Sequence, residues 1–138
     1  MGPPRSTNAF AHLGHLVDAV PETRHLVHSD VLNHNILVAG HRVTAMLDWG
    51  NAMAGDFLYD IALFCFWAPW YPAWDGIDFR EEAARHYGSL GLDLPCYEDR
   101  LRCYEVHIGL DHLVYNAYMG RWDELARVAE HTLAITRG

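Results

Sequence analysis

The chain has 138 residues, 51% of them hydrophobic and 20% charged, which is enough apolar material for a domain core and excludes a disordered chain. All ten basic side chains are arginine, so no chemistry that needs a Schiff-base amine or a phosphate-binding lysine can reside here. The net charge of −8, with its arginines scattered singly, argues against a nucleic-acid surface and suits a cationic small-molecule partner. No apolar run reaches the ~18 residues of a membrane helix. The cysteines Cys65, Cys96 and Cys103 are odd in number and form no CxxC pair, which fits a reducing cytoplasm better than a disulfide framework.

Residues 1–6 read as a loose leader that lacks the apolar stretch of a signal peptide, and residues 7–138 as one lobe. Between 8 and 20, Phe10, Leu13, Val17 and Val20 recur at helical spacing until Pro21 ends the run. Leu26 and Val27 then lead into the polar residues His28, Ser29 and Asp30. The runs 35–38 and 43–47 flank Ala39-Gly40-His41-Arg42 and predict a β-hairpin. Asp56 precedes a nearly all-apolar stretch, 57–67, which Pro69 and Pro72 close. A helix apolar on all sides is a buried one, with Asp56 as its cap. Two more helices are expected. The first, 97–119, carries a stripe of Cys103, Val106, Leu110, Leu113 and Ala117; the second, 121–135, carries Trp122, Ala126, Ala129 and Leu133. The expected fold class is mainly α, an α+β domain with one hairpin inserted early.

The chemistry gathers around that hairpin. His28-Ser29-Asp30, four residues and then Asn35 match H-x-D-x-x-x-x-N, the catalytic-loop pattern of kinases. Thirteen positions beyond Asn35, Asp48-Trp49-Gly50 stands where kinases carry D-F-G. Phosphoryl transfer needs a carboxylate to take the proton of the attacking hydroxyl, and hard oxygen donors to hold Mg²⁺ on the phosphates. A hairpin brings Asn35 and Asp48 to one end, and Asp30 lies on the loop just before it. An isolated Asp-Trp-Gly is an ordinary turn sequence. Order, spacing and strand context together carry the kinase reading.

Arg24 to Asp30, Asn35-Ile36-Leu37, Asp48-Trp49-Gly50, Gly55-Asp56 and Asp60-Ile61-Ala62 resemble the aminoglycoside phosphotransferase family. The resemblance continues through Trp67-Ala68-Pro69-Trp70 and Ile108-Gly109-Leu110-Asp111, and so covers roughly 24–120. It implies a protein-kinase-like fold that transfers the γ-phosphate of ATP or GTP, with Mg²⁺, to a hydroxyl of an aminoglycoside such as hygromycin B, an antibiotic-resistance activity. By that resemblance Asp30 is the catalytic base, and Asn35 and Asp48 bind the metal. His28 orients the loop, and His34 lies beside the acceptor hydroxyl, where a relative acting on hygromycin B carries asparagine. Trp67 and Trp70 offer a substrate wall, while Asp56 and Asp60 serve as helix cap and structural tie. The family's nucleotide-binding N-terminal lobe, with its strand lysine, has no counterpart in these residues, so the chain resembles a C-terminal lobe.

A zinc site of His25, His28 and Asp30 is the weaker reading, because no histidine pair has the helical spacing of HExxH. Two alternatives of other kinds stand beside the kinase lobe. One is a non-catalytic binding or assembly module derived from such a kinase; the other is a kinase for another small hydroxyl compound. Exposed apolar area around the cleft is expected, to be covered by a missing N-terminal lobe or in a homo-oligomer.

Overall fold

The computed structural model describes the backbone from Arg5 to Gly138, and the side chains from Ala9 onward except that of Asn33. In chain order the helices are α1 (Arg5–Leu16), α2 (Leu58–Trp67), α3 (Phe79–Ser89), α4 (Tyr97–Tyr118) and α5 (Trp122–Ile135). The strands are β1 (His25–Val27), β2 (Ile36–Ala39), β3 (Arg42–Met46) and β4 (Met53–Gly55). Of the expected leader, residues 1–4 lie outside the described residues, and Arg5 and Ser6 are already helical. The chain packs as two compact units: one holds 1–20 with 95–138, the other 21–94.

In the first unit, α1 and α5 both pack on α4. Two flanking helices give α4 a broad buried surface, which includes Leu101, Cys103, Val106, Ile108 and Asn116, and not a single stripe. Ala117, expected inside, is exposed. On α5 the buried residues are Val128, Thr132 and Leu133, whereas Trp122 and Ala126 face outward. The cause lies on α4. A Cβ built on Gly109 would stand 2.1 Å from Thr132 Oγ1, so the missing side chain is a notch that draws the Thr132 face of α5 inward. Thr132 can enter without an orphaned hydroxyl because its Oγ1 donates to Val128 O at 2.7 Å.

The second unit consists of two antiparallel ribbons and two helices. β2 and β3 form the expected hairpin about Gly40, whose φ of +60° glycine adopts without penalty. Its register runs Ile36↔Met46, Leu37↔Ala45 and then Val38↔Val43, so Thr44 is a bulge residue, and its Oγ1 donates to Leu37 O at 3.2 Å. The β1–β4 ribbon pairs His25 with Gly55 and Val27 with Met53. Three-residue strands separated by this distance in sequence leave no periodic signal, and the sequence reading contains no such ribbon. α2 has no exposed residue, and Leu58, Ala62, Leu63 and Phe66 are fully buried, as its apolar sequence requires. α3, which the sequence reading passes over, buries only Ala83 and packs on α2.

Candidate active site

The candidate site residues His28, Asp30, His34, Asn35, Asp48, Asp56, Asp60, Trp67 and Trp70 lie in the second unit, on the loops between β1 and α2 or on α2 and the turn that follows it. His28 is 1% exposed. Its Nε2 lies 2.7 Å from Leu47 O, and a carbonyl can only accept, so Nε2 carries the proton. Nδ1 is then a bare lone pair, and it accepts the backbone N–H of Asp30 at 3.3 Å. One neutral imidazole therefore ties the start of the 30–35 loop to the end of β3. The Trp49 ring packs against it at a centroid distance of 4.6 Å.

Asp30 and Asn35 are coupled through the backbone. Asn35 Nδ2 donates to Asp30 O at 2.8 Å, which turns Oδ1 of the same amide away as an acceptor. The main chain of Asn35 bridges the hairpin's end, its carbonyl accepting from Leu47 N at 2.8 Å. Since Ile36 pairs with Met46, Asn35 falls opposite Leu47, next to Asp48. Asp48 adopts φ +55°, and its Oδ1 accepts from Gly50 N at 3.4 Å. Left-handed backbone at a residue with a Cβ costs ~1–2 kcal/mol and persists only where surrounding structure enforces it. A side chain at Gly50 would begin 3.3 Å from that same Oδ1, so the glycine leaves room for the carboxylate.

Ser29 is the second left-handed residue, at φ +58°. Its Oγ donates to Asn51 O in the turn after Asp48, joining the two loops. Asp60, in the first turn of α2, accepts the backbone N–H groups of His28 at 2.9 Å and Ser29 at 2.8 Å, one on each carboxylate oxygen. Such a carboxylate is favoured at a helix N-terminus. Asp56 is buried, and its Oδ1 accepts from Leu58 N at 3.2 Å, at the start of α2. The sequence reading did not single out Ser29, Asn51 or Tyr87. A serine before the aspartate carries no spacing signal, and Asn51 contributes only its carbonyl.

Tyr87 on α3 stacks edge-to-face with Phe57, with ring centroids 5.0 Å apart. Burial first, and then the negative carboxylates of Asp60 and Asp56, push its phenol above the usual 10.0. Between pH 10.0 and the higher folded value, the unfolded chain releases this proton and the folded chain keeps it. The contribution of Tyr87 to stability is therefore fully present below pH 10.0 and is lost as pH rises through that window. Urea unfolding on either side of pH 10.0 should show a smaller alkaline loss for Tyr87→Phe than for the parent chain. An identical loss in both would remove Tyr87 as its source.

His34 is exposed, one residue before Asn35 in the 3-10 turn Asn33–Asn35. Trp67 closes α2 and lies edge-on to Trp70 at 5.1 Å; both rings pack on Phe66. Along α2, Trp67 stands about two turns, roughly 10 Å, from Asp60. Asp30, Asn35, Asp48 and His28 are thus brought together by short-range bonds, and the tryptophans form a separate half-buried aromatic cluster.

A loop of this kind, with an aspartate, an asparagine and a second aspartate at the open end of a hairpin, is of the kinase-like phosphotransferase class. Residues 5–102 match the phosphotransferase enzyme family (APH), and the chain belongs to it. It is similar to hygromycin-B 4-O-kinase of Escherichia coli, with 37% identity over 117 residues that cover 85% of this chain and 32% of that protein. Among solved structures it is similar to a thermostable mutant of aminoglycoside phosphotransferase APH(4)-Ia in ternary complex with AMP-PNP and hygromycin B. That match has a TM-score of 0.79 at 34% identity and covers 96% of this chain and 43% of that one. The apo form of a thermostable mutant of the same enzyme matches with a TM-score of 0.76 at 35% identity. The chain thus spans well under half the length of these relatives.

Proposed function

We propose that this chain is the catalytic-loop lobe of a small-molecule kinase that moves the γ-phosphate of ATP to a hydroxyl of an aminoglycoside of the hygromycin B type. The observation that carries this reading is the convergence of Asp30, Asn35 and Asp48 through the Asn35 Nδ2–Asp30 O bond and the Asn35–Leu47 ladder contact. Asp30 is the base that accepts the proton of the acceptor hydroxyl, which the neutral His28 supports by holding the loop's backbone. The donor set fits Mg²⁺. Asn35 keeps its amide oxygen available because its nitrogen is engaged, and the exposed Asp48 offers a carboxylate, both hard oxygen ligands. When bound, the metal would neutralise charge on the phosphates. His34, Trp67 and Trp70 are assigned to the acceptor side.

A nucleotide-binding lobe completes the site in this reading. Leu37, Val38, Val43, Leu47 and Trp49 are exposed around the hairpin, an apolar surface that such a lobe would cover. Cys65, Cys96 and Cys103 form no disulfide, which supports a cytoplasmic setting.

The test joins the nucleotide-binding half of hygromycin-B 4-O-kinase to this chain and follows labelled phosphate from ATP to hygromycin B. Transfer is expected from the chimera. The chain alone should bind MgATP feebly in calorimetry and turn over negligibly, since positioning and charge stabilisation by the phosphate cradle supply nearly all of this catalysis. Micromolar MgATP affinity of the lone chain would sink the two-lobe reading. A folded chimera that binds MgATP and phosphorylates no aminoglycoside would sink the acceptor assignment.

A further inference from the structure

We propose that the Ser29 hydroxyl is a positioning group for the metal side of the site, holding the turn that carries Asp48 against the catalytic loop, a role that rests on the phosphotransferase reading and deepens it. Ser29 stands between His28 and Asp30. Its Oγ donates to the carbonyl of Asn51, the last residue of the turn Trp49–Asn51 that follows Asp48.

The β1–β4 ribbon explains why a side chain makes this bond. Its register pairs His25 with Gly55, Leu26 with Ala54 and Val27 with Met53. Continued by two residues, the same register sets His28 opposite Ala52 and Ser29 opposite Asn51. The backbone has no donor left at those two positions, because the N–H groups of His28 and Ser29 both go to the Asp60 carboxylate. The ladder therefore gives out after Val27. At the Ser29 position the hydroxyl takes over as the donor to the facing carbonyl.

The turn has little else to hold it. Residues 47–54 are exposed throughout, so no core packing fixes them. Trp49 Nε1 donates to Met46 O at 2.9 Å and the Trp49 ring rests on His28, which anchor the hairpin side. Ser29 Oγ anchors the far end. Asp48 lies within the loop that Trp49 closes, and its φ of +55° persists only where the surroundings impose it. Asp30 does not depend on this rung, since His28 Nδ1 holds its N–H and Asn35 Nδ2 its carbonyl. Losing the Ser29 hydroxyl should therefore disturb the metal side and spare the base.

Two measurements test the role. Amide hydrogen exchange on this chain reads the turn directly. Ser29→Ala should speed exchange at Gly50 and Ala52, whose N–H groups are bonded within the turn, by about 3–10-fold, the scale of one hydrogen bond. Leu47, whose N–H is held by Asn35 O across the hairpin, should exchange as before. Calorimetric titration of MgATP into the chimera reads the metal side and needs no acceptor. Failure to phosphorylate an aminoglycoside would sink the function reading and leave this readout intact. Ser29→Ala and Ser29→Gly should each weaken MgATP binding about 3–10-fold. Glycine relieves the left-handed backbone at φ +58° and alanine does not, so equal losses assign the effect to the hydroxyl. Ser29→Gly also keeps the test decisive if Ser29→Ala fails to fold. In an Asp48→Ala background, Ser29→Ala should cost nothing more, because the rung acts through that carboxylate. Unchanged exchange at Gly50 and Ala52, parent-like MgATP affinity in Ser29→Gly, or losses that add in the double variant would each overturn the proposal.

Discussion

In a complete kinase containing this lobe, Asp30→Ala should reduce phosphate transfer by about 10³-fold, the usual scale for loss of a positioned general base, and leave the KM for MgATP nearly unchanged. The separation follows from position. The Asp30 backbone is fixed by the Asn35 amide and His28, so the loop keeps its shape when the carboxylate is removed. Asp48→Ala should behave in the opposite manner and raise the MgATP KM, because it deletes a charged metal ligand. Asn35→Ala should fall between the two in its effect on MgATP, a neutral ligand contributing less charge, with some added loss of activity because the tie to Asp30 O goes with it. Steady-state kinetics on hygromycin B with purified variants separates these outcomes. Near-full transfer by Asp30→Ala would withdraw the base assignment, and with it the mechanism.

Asp60→Ala should destabilise the chain by roughly 3–5 kcal/mol, since two hydrogen bonds to an ionised acceptor, each worth about 1.5–3 kcal/mol, are lost together. One of the stranded donors is the backbone N–H of the fully buried His28; the other belongs to Ser29, whose left-handed φ of +58° depends on being held. Asp60→Asn retains one accepting oxygen and should lose less. Asp56→Ala, which removes the bond to Leu58 N, should cost about 1 kcal/mol, the scale of a helix cap. Urea denaturation of the three variants gives the ranking directly. If Asp60→Ala unfolded within about 1 kcal/mol of the parent chain, the carboxylate's hold on the loop would be energetically idle.

The elements with strong local signatures were legible in the sequence. The hairpin about Gly40 appears where its alternation and turn residues put it, and α2 is as buried as its unbroken apolar run requires. α4 and α5 begin and end within a residue or so of their expected bounds, because Gly120 ends one and the next helical pattern starts at once. The kinase-type spacing of Asp30, Asn35 and Asp48 was also legible, since residues on a loop and its adjoining hairpin are brought together by chain connectivity. α3 carries terminal signals of its own: Asp78 caps it by accepting from Glu81 N at 2.9 Å, and Gly91 follows its end at φ +72°.

Other features were decided only by tertiary structure. Nothing in α5 itself marks Thr132 as the inward residue; the notch at Gly109, on another helix, makes that choice. Nor does the sequence disclose that Asp60 takes two backbone N–H groups from a loop some thirty residues away, or that Ser29 Oγ reaches Asn51 O. The β1–β4 ribbon belongs to the same category, its three-residue strands being too short to carry a period. Local pattern fixes an element because each backbone hydrogen bond in a helix or hairpin joins residues close in sequence. Which face is buried, and which carboxylate holds which loop, depends on groups far apart in the chain that meet only once it has folded.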